Sequence, residues 1–142
     1  MEKLIPEQPR PTQEEQAKRM ERVAYFEKND CPTFVQDEPL DARAVYEEFV
    51  EQYDIAAEKY YEKRIEMIGV ASKIGPDIHG KPSIELSDRA DGRCYALYIF
   101  QNDDFYSKVS LGDTVVCRGN LLRAREPFGA VLKKSELLEV CK

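Results

Sequence analysis

The chain has one histidine and no tryptophan. That histidine, His79, sits in the turn-forming run Gly75-Pro76-Asp77-Ile78-His79-Gly80, with no second histidine to share a metal and no serine or cysteine at a motif spacing. It reads as a turn residue rather than a catalytic base or a ligand. The cysteines Cys31, Cys94, Cys117 and Cys141 are widely separated and form no Cys-x-x-Cys pair, so reduced, partly buried thiols and no metal are expected. The 7 glycines never gather into a phosphate-cradling loop. No carboxylate pair stands out for acid–base chemistry, since Asp103-Asp104 reads as a helix cap. Nothing here points to an enzyme or to a cofactor. Also missing are a secretory leader and any run near the roughly 20 apolar residues that cross a bilayer, which sets the expectation of a soluble, cytoplasmic chain with no membrane span.

A net basic charge is absent too. The formal charge of −6 argues against a general polyanion binder, because phosphate affinity requires a basic contact surface. The average conceals an asymmetry: Met1 to Glu62 carries 8 Lys+Arg against 16 Asp+Glu, whereas Lys63 to Lys142 carries 13 against 11. Such a split fits a solvated helix face, a charged partner, or an acidic extension that masks a basic surface.

What is present divides into residues 1–40, a proline-containing tail with an acidic helix and a linker, and residues 41–142, one domain with its leading helix. Pro6, Pro9 and Pro11 predict an extended, poorly ordered start. Thr12 and Glu15 have capping-box spacing, and Ala17, Met20, Val23 and Ala24 form a thin apolar stripe on the helix that follows. Asp41 is the expected N-cap of a second helix, where Ala42, Val45, Tyr46, Phe49, Tyr53, Ala56, Ala57, Tyr60 and Tyr61 recur at helical spacing. After Lys63 the period changes to that of strands: Arg64–Ile74 with Gly69 at its centre, Pro82–Ser87, Arg93–Phe100, Thr114–Leu122 and Ala130–Leu138. A short helix is expected within Asn102–Ser110, and Arg123–Gly129 is expected to be a loop. Gly112-Asp113 supplies the turn into the fourth strand, and Gly119 allows that strand a sharp bend or a close backbone approach.

Five short strands, a helix between the third and fourth, and helices in front predict a mainly β (α+β) domain, a five-stranded Greek-key OB-fold barrel preceded by two N-terminal helices. In such a barrel the face of strands two and three, with the one-two and four-five loops, is the binding surface. Single strands need flat rings and cations there. Strand three offers Arg93, Tyr95 and Tyr98, the four-five connection offers Arg123, Arg125 and Phe128, and the one-two loop is bordered by Lys73 and Lys81. Alternation puts Cys94, Ala96, Tyr98 and Phe100 on one face of strand three and Tyr95, Leu97 and Ile99 on the other; Tyr98 and Phe100 are read as core, and Tyr95 is open to either reading.

The run Tyr53-Asp54-Ile55-Ala56-Ala57, then Tyr61-Glu62-Lys63-Arg64 leading into Ile65-Glu66-Met67-Ile68-Gly69-Val70, then Leu111 to Gly119 and Val131-Leu132-Lys133-Lys134-Ser135, resembles the bacterial tRNA-anti-like OB-fold family. Asp54 stands where that family usually has Asn, Lys63 where Gly is common, and Ser135 where Cys often closes the pattern. The resemblance implies an OB barrel and, by name, a nucleic-acid role; it brings no catalytic residues. Many members look like envelope lipoproteins, which this chain as read does not. Two functions follow as expectations: a non-catalytic module binding single-stranded DNA or RNA, or an interaction module that meets another protein or a second copy through the acidic helix or an apolar barrel face.

Overall fold

A computed structural model describes residues 3–141. Helix α1 spans Gln13–Phe26 and opens with the expected capping box: Glu15 N–H donates to Thr12 Oγ1 at 3.1 Å, and Thr12 N–H donates to Glu15 Oε1 at 3.4 Å. A two-residue strand, β1 (Leu40–Asp41), leads into α2 (Ala42–Glu51) and α3 (Tyr53–Tyr60). The remaining strands are β2 (Lys63–Pro76), β3 (Pro82–Ser87), β4 (Ala96–Ile99), β5 (Thr114–Arg125) and β6 (Gly129–Cys141), with a 3₁₀ turn over Asp104–Ser107.

The second helix differs from expectation: it breaks at Gln52, whose φ of −143° and ψ of 65° leave the helical region. Along an unbroken helix Phe49 and Tyr61 would be about 18 Å apart at 1.5 Å per residue. Here their ring centroids lie 5.7 Å apart, and Phe49 meets Tyr60 at 5.9 Å. The break folds α3 back so that these rings share one cluster, and three helices result where two were expected. Asp41 does occupy the N-cap position of α2, but its side chain makes no capping bond.

The long strand β2 closes the barrel. Its first half, Lys63 to Val70, pairs with β5, and its second half, Val70 to Pro76, pairs with β3. The order β2-β3-β4-β6-β5 then returns to β2, giving a closed five-stranded barrel in which β4 and β6 are parallel and the other neighbours antiparallel. Ile65, Met67, Ile84, Leu86, Tyr98, Val115, Cys117, Leu121 and Leu132 fill it, each fully buried. The Tyr98 hydroxyl, inside this apolar core, donates to the Ile65 carbonyl at 3.1 Å, as a buried phenol requires. A Cβ on Gly119 would lie 2.7 Å from Ser135 Oγ and 3.1 Å from Leu132 Cβ, so a side chain there would crowd the close approach of β5 to β6.

Residues 3–12 form neither helix nor strand and are attached to the barrel at Ile5. Ile5 is buried in the main core, and its N–H donates to Glu126 Oε2 at 3.1 Å. The linker is pinned by Asn120, which is fully buried. Its Nδ2 donates to the Phe26 and Asn29 carbonyls at 2.7 and 2.9 Å, and its Oδ1 accepts from Cys31 N–H and Arg64 Nη1, each at 3.0 Å.

Candidate functional site

Arg123 and Arg125 stand on a strand, where a loop was expected. The ladder Arg123↔Val131, Ala124↔Ala130, Arg125↔Gly129 continues β5 and β6 almost to the turn, which is reduced to Glu126-Pro127-Phe128. So tight a turn depends on Gly129, whose φ is +68° and where a Cβ would sit 2.2 Å from the Tyr95 carbonyl oxygen. Being on a strand fixes the directions: Ala124 points into the core, and Arg123 and Arg125 point out together. Their outward neighbours on β6 are Val131 and Lys133.

Across β6 lies β4, where alternation holds from Ala96 to Phe100 and fails before it. Ala96, Tyr98 and Phe100 enter the main core, while Leu97 and Ile99 join Cys94, Val131 and half-buried Phe128 in a separate outer cluster. Cys94 and Tyr95 have each exchanged the face expected for them, because regular pairing of β4 begins only at Ala96. Tyr95 is 5% exposed and packs edge-on against Tyr46 at 5.1 Å.

Arg93 is engaged from within. It forms an ion pair with Glu126, whose other oxygen accepts from the Tyr46 hydroxyl, and its guanidinium lies 4.8 Å from the Tyr46 ring centroid. Lys73 and Lys81 belong to the β2–β3 hairpin, which adjoins Ile99, whereas the β5–β6 turn adjoins Ala96 at the other end of β4. Three strand steps of about 3.3 Å separate those ends. Lys73 is paired with Glu85 at 3.7 Å, and Lys81 is exposed. The structure therefore brings Arg123, Arg125 and Phe128 together and leaves the two lysines apart from them.

Residues outside the expected set complete the surroundings. Two adjoining clefts, of about 790 and 830 Å³, separate α1 and the segment before it from the β5–β6 hairpin; both are lined by Arg10, Arg19, Arg123 and Arg125. None of these four guanidinium groups makes an ion pair or a side-chain hydrogen bond with a described residue. Partial loss of water, followed by the positive fields of Arg125 and Arg19, holds the Arg123 pKa below its ordinary value. Arg10 and Arg19 are visible in the sequence as charges, but nothing local to them signals which surface they approach.

The buried thiols and the single histidine are placed as follows. Burial pushes the Cys31 and Cys117 thiols up to about 12, and Cys94 also upward, so none of these is a ready thiolate. His79 is exposed, with its backbone N–H held by Asp77 Oδ1 at 2.8 Å. Among the described residues no cluster of histidine, cysteine or carboxylate groups could hold a metal, and no helix is long and apolar enough to cross a membrane.

Residues 6–137 match the tRNA_anti-like family. A solved structure from Klebsiella pneumoniae subsp. pneumoniae MGH 78578, named a "putative nucleic acid-binding lipoprotein", superposes with a TM-score of 0.55 at 13% identity, covering 92% of this chain and 100% of its own. At that identity the likeness concerns the fold. No curated protein matches the chain.

Proposed function

The chain belongs to the tRNA_anti-like family, and from that premise we propose that its barrel is an OB-fold acting as a non-catalytic module for single-stranded nucleic acid. The strand order and the parallel β4–β6 pair support the OB reading. One observation carries the function: Arg123 and Arg125 project side by side from the β5–β6 hairpin beside Phe128, with no carboxylate paired to either. Guanidinium groups suit phosphate because their planar forks donate two parallel hydrogen bonds, and an adjacent ring can stack a base. With Tyr95 and Tyr98 buried, Phe128 is the one ring of the expected set that stays half-exposed, so phosphate contacts outweigh stacking and base preference is weak.

A fluorescent oligothymidine titrated at low and moderate salt tests the reading. Binding is expected at low salt, to weaken steeply as salt rises, and to fall with Arg123→Ala plus Arg125→Ala. Absence of binding at low salt refutes it.

The interaction-module reading has one observation in its favour: α1 buries no side chain, and Met20 and Tyr25 on it are 64% and 59% exposed. Light scattering of the full chain distinguishes the two, since self-association through α1 makes the mass depend on concentration.

A further inference from the structure

We propose that α1 and the extended segment before it form the second wall of a phosphate-binding cleft, with Arg10 and Arg19 from that wall and Arg123 and Arg125 from β5 holding successive phosphates of one strand between them. The identity of the phosphate as a nucleic-acid backbone rests on the function proposed above; the cleft itself does not.

The acidic composition of residues 1–62 suggests a mask that neutralises the barrel's basic surface. The orientation of α1 argues otherwise. Arg19 and Arg22 line the clefts, whereas Glu14, Glu15 and Glu21 do not. A mask would turn its carboxylates inward; this helix turns its arginines inward. The carboxylates that do approach are mostly engaged. Glu62 is paired with Arg22 at 2.7 Å, Glu27 with Lys133 at 3.8 Å, and Glu126 with Arg93, Tyr46 and the Ile5 N–H. Glu7 is the one lining carboxylate with no partner among the described residues, set against four arginines in the same condition.

Four like charges around one cleft repel each other, and partial removal of water strengthens that repulsion. An anion entering between the walls relieves it and accepts the donors that the protein leaves unused. The ligand this geometry suits is a flexible chain of phosphates, because the arginines lie along two walls rather than converging on a point. A single strand fits; a rigid duplex must also clear α1.

The test is NMR of the full chain, following the arginine Nε–Hε resonances during titration with oligothymidine and, separately, with inorganic tripolyphosphate. The expected result is joint movement of the Arg10, Arg19, Arg123 and Arg125 signals with both probes. Arg19→Ala, at an exposed side chain with no ion pair or side-chain hydrogen bond to a described residue, should make the salt dependence of oligonucleotide binding shallower by roughly 0.7 in log K per log salt, the value for one phosphate contact on a single strand. Movement with tripolyphosphate alone supports the cleft and overturns the nucleic-acid reading. Oligonucleotide binding that moves Arg123 and Arg125 but leaves Arg10 and Arg19 still, with an unchanged salt slope in Arg19→Ala, overturns the cleft and leaves that reading standing. No response to either probe overturns both.

Discussion

Asn120 uses all four of its side-chain hydrogen-bonding positions, two as donor and two as acceptor, and each partner lies at least 56 residues away in the chain. It is the residue that fastens the linker after α1 to the barrel. In Asn120→Ala, Cys31 N–H and the buried Arg64 guanidinium lose an acceptor while water gains little access. The expected cost is about 3 kcal/mol, from two buried donors left short of partners. Urea unfolding measures that, and limited proteolysis should show faster cutting between Glu27 and Pro39 under native conditions. An asparagine inside a strand was a legible oddity, since strands are poor in it. Its role was not legible, because the groups it joins come together only in the folded chain. The same holds for Arg93 and Tyr95, which share an alternating strand pattern with their neighbours and are claimed by Glu126 and Tyr46 from elsewhere in the sequence.

At the scale of elements, the strands were easier to read than the helices. Pro82–Ser87 was legible to the residue, because prolines and turn-formers bracket a short alternating run. The break at Gln52 was not, since Tyr46, Phe49, Tyr53, Ala56 and Tyr60 make an equally good stripe on an unbroken helix. What decides it is the ring cluster around Phe49, together with the Tyr61 hydroxyl. That hydroxyl bonds with the Tyr53 hydroxyl and accepts from Ala124 N–H at 3.0 Å, joining the end of α3 to β5. Tyr61→Phe is expected to lose about 1–2 kcal/mol in urea unfolding, because a buried strand N–H is left without an acceptor. Tyr53→Phe keeps that acceptor and should cost less.

The linker also carries a pH dependence. Its hydrogen bond to Lys134 lowers the pKa of Asp30, and hydrogen bonds from Arg118 and then Arg64 lower that of Glu136. Both carboxyls therefore hold protons less tightly folded than unfolded, so their contribution is complete above the ordinary value, 4.5 for Glu136, and is lost as pH falls through the folded pKa. The urea midpoint should drop on acidification below that point, and Glu136→Gln should reduce the drop.

For the whole molecule, the question is why a helix with no buried side chain stays beside the barrel. A helix of 14 residues is marginal in isolation, and the capping box adds only local support. The attachments of α1 lie toward its C-terminal end: Phe26 to Asn120, Glu27 to Lys133 and Arg22 to Glu62. Between them and the capping box the helix faces an open cleft. Its amides should therefore exchange with solvent through local opening, far faster than those of β2 and β5, whose pairing closes the barrel. If a phosphate chain occupies the cleft, it bridges Arg19 on α1 to Arg123 and Arg125, and opening α1 then requires breaking those contacts. Hydrogen exchange with and without oligothymidine should show slowing centred on residues 13–26, with β2 unchanged. A ligand confined to the outer face of β3 and β4 predicts no slowing over residues 13–26, since no contact with α1 would form. The acidic half of the chain is in this view a scaffold that carries Arg10 and Arg19 to a basic hairpin, with Glu14, Glu15 and Glu21 away from the cleft and Glu27 and Glu62 already paired.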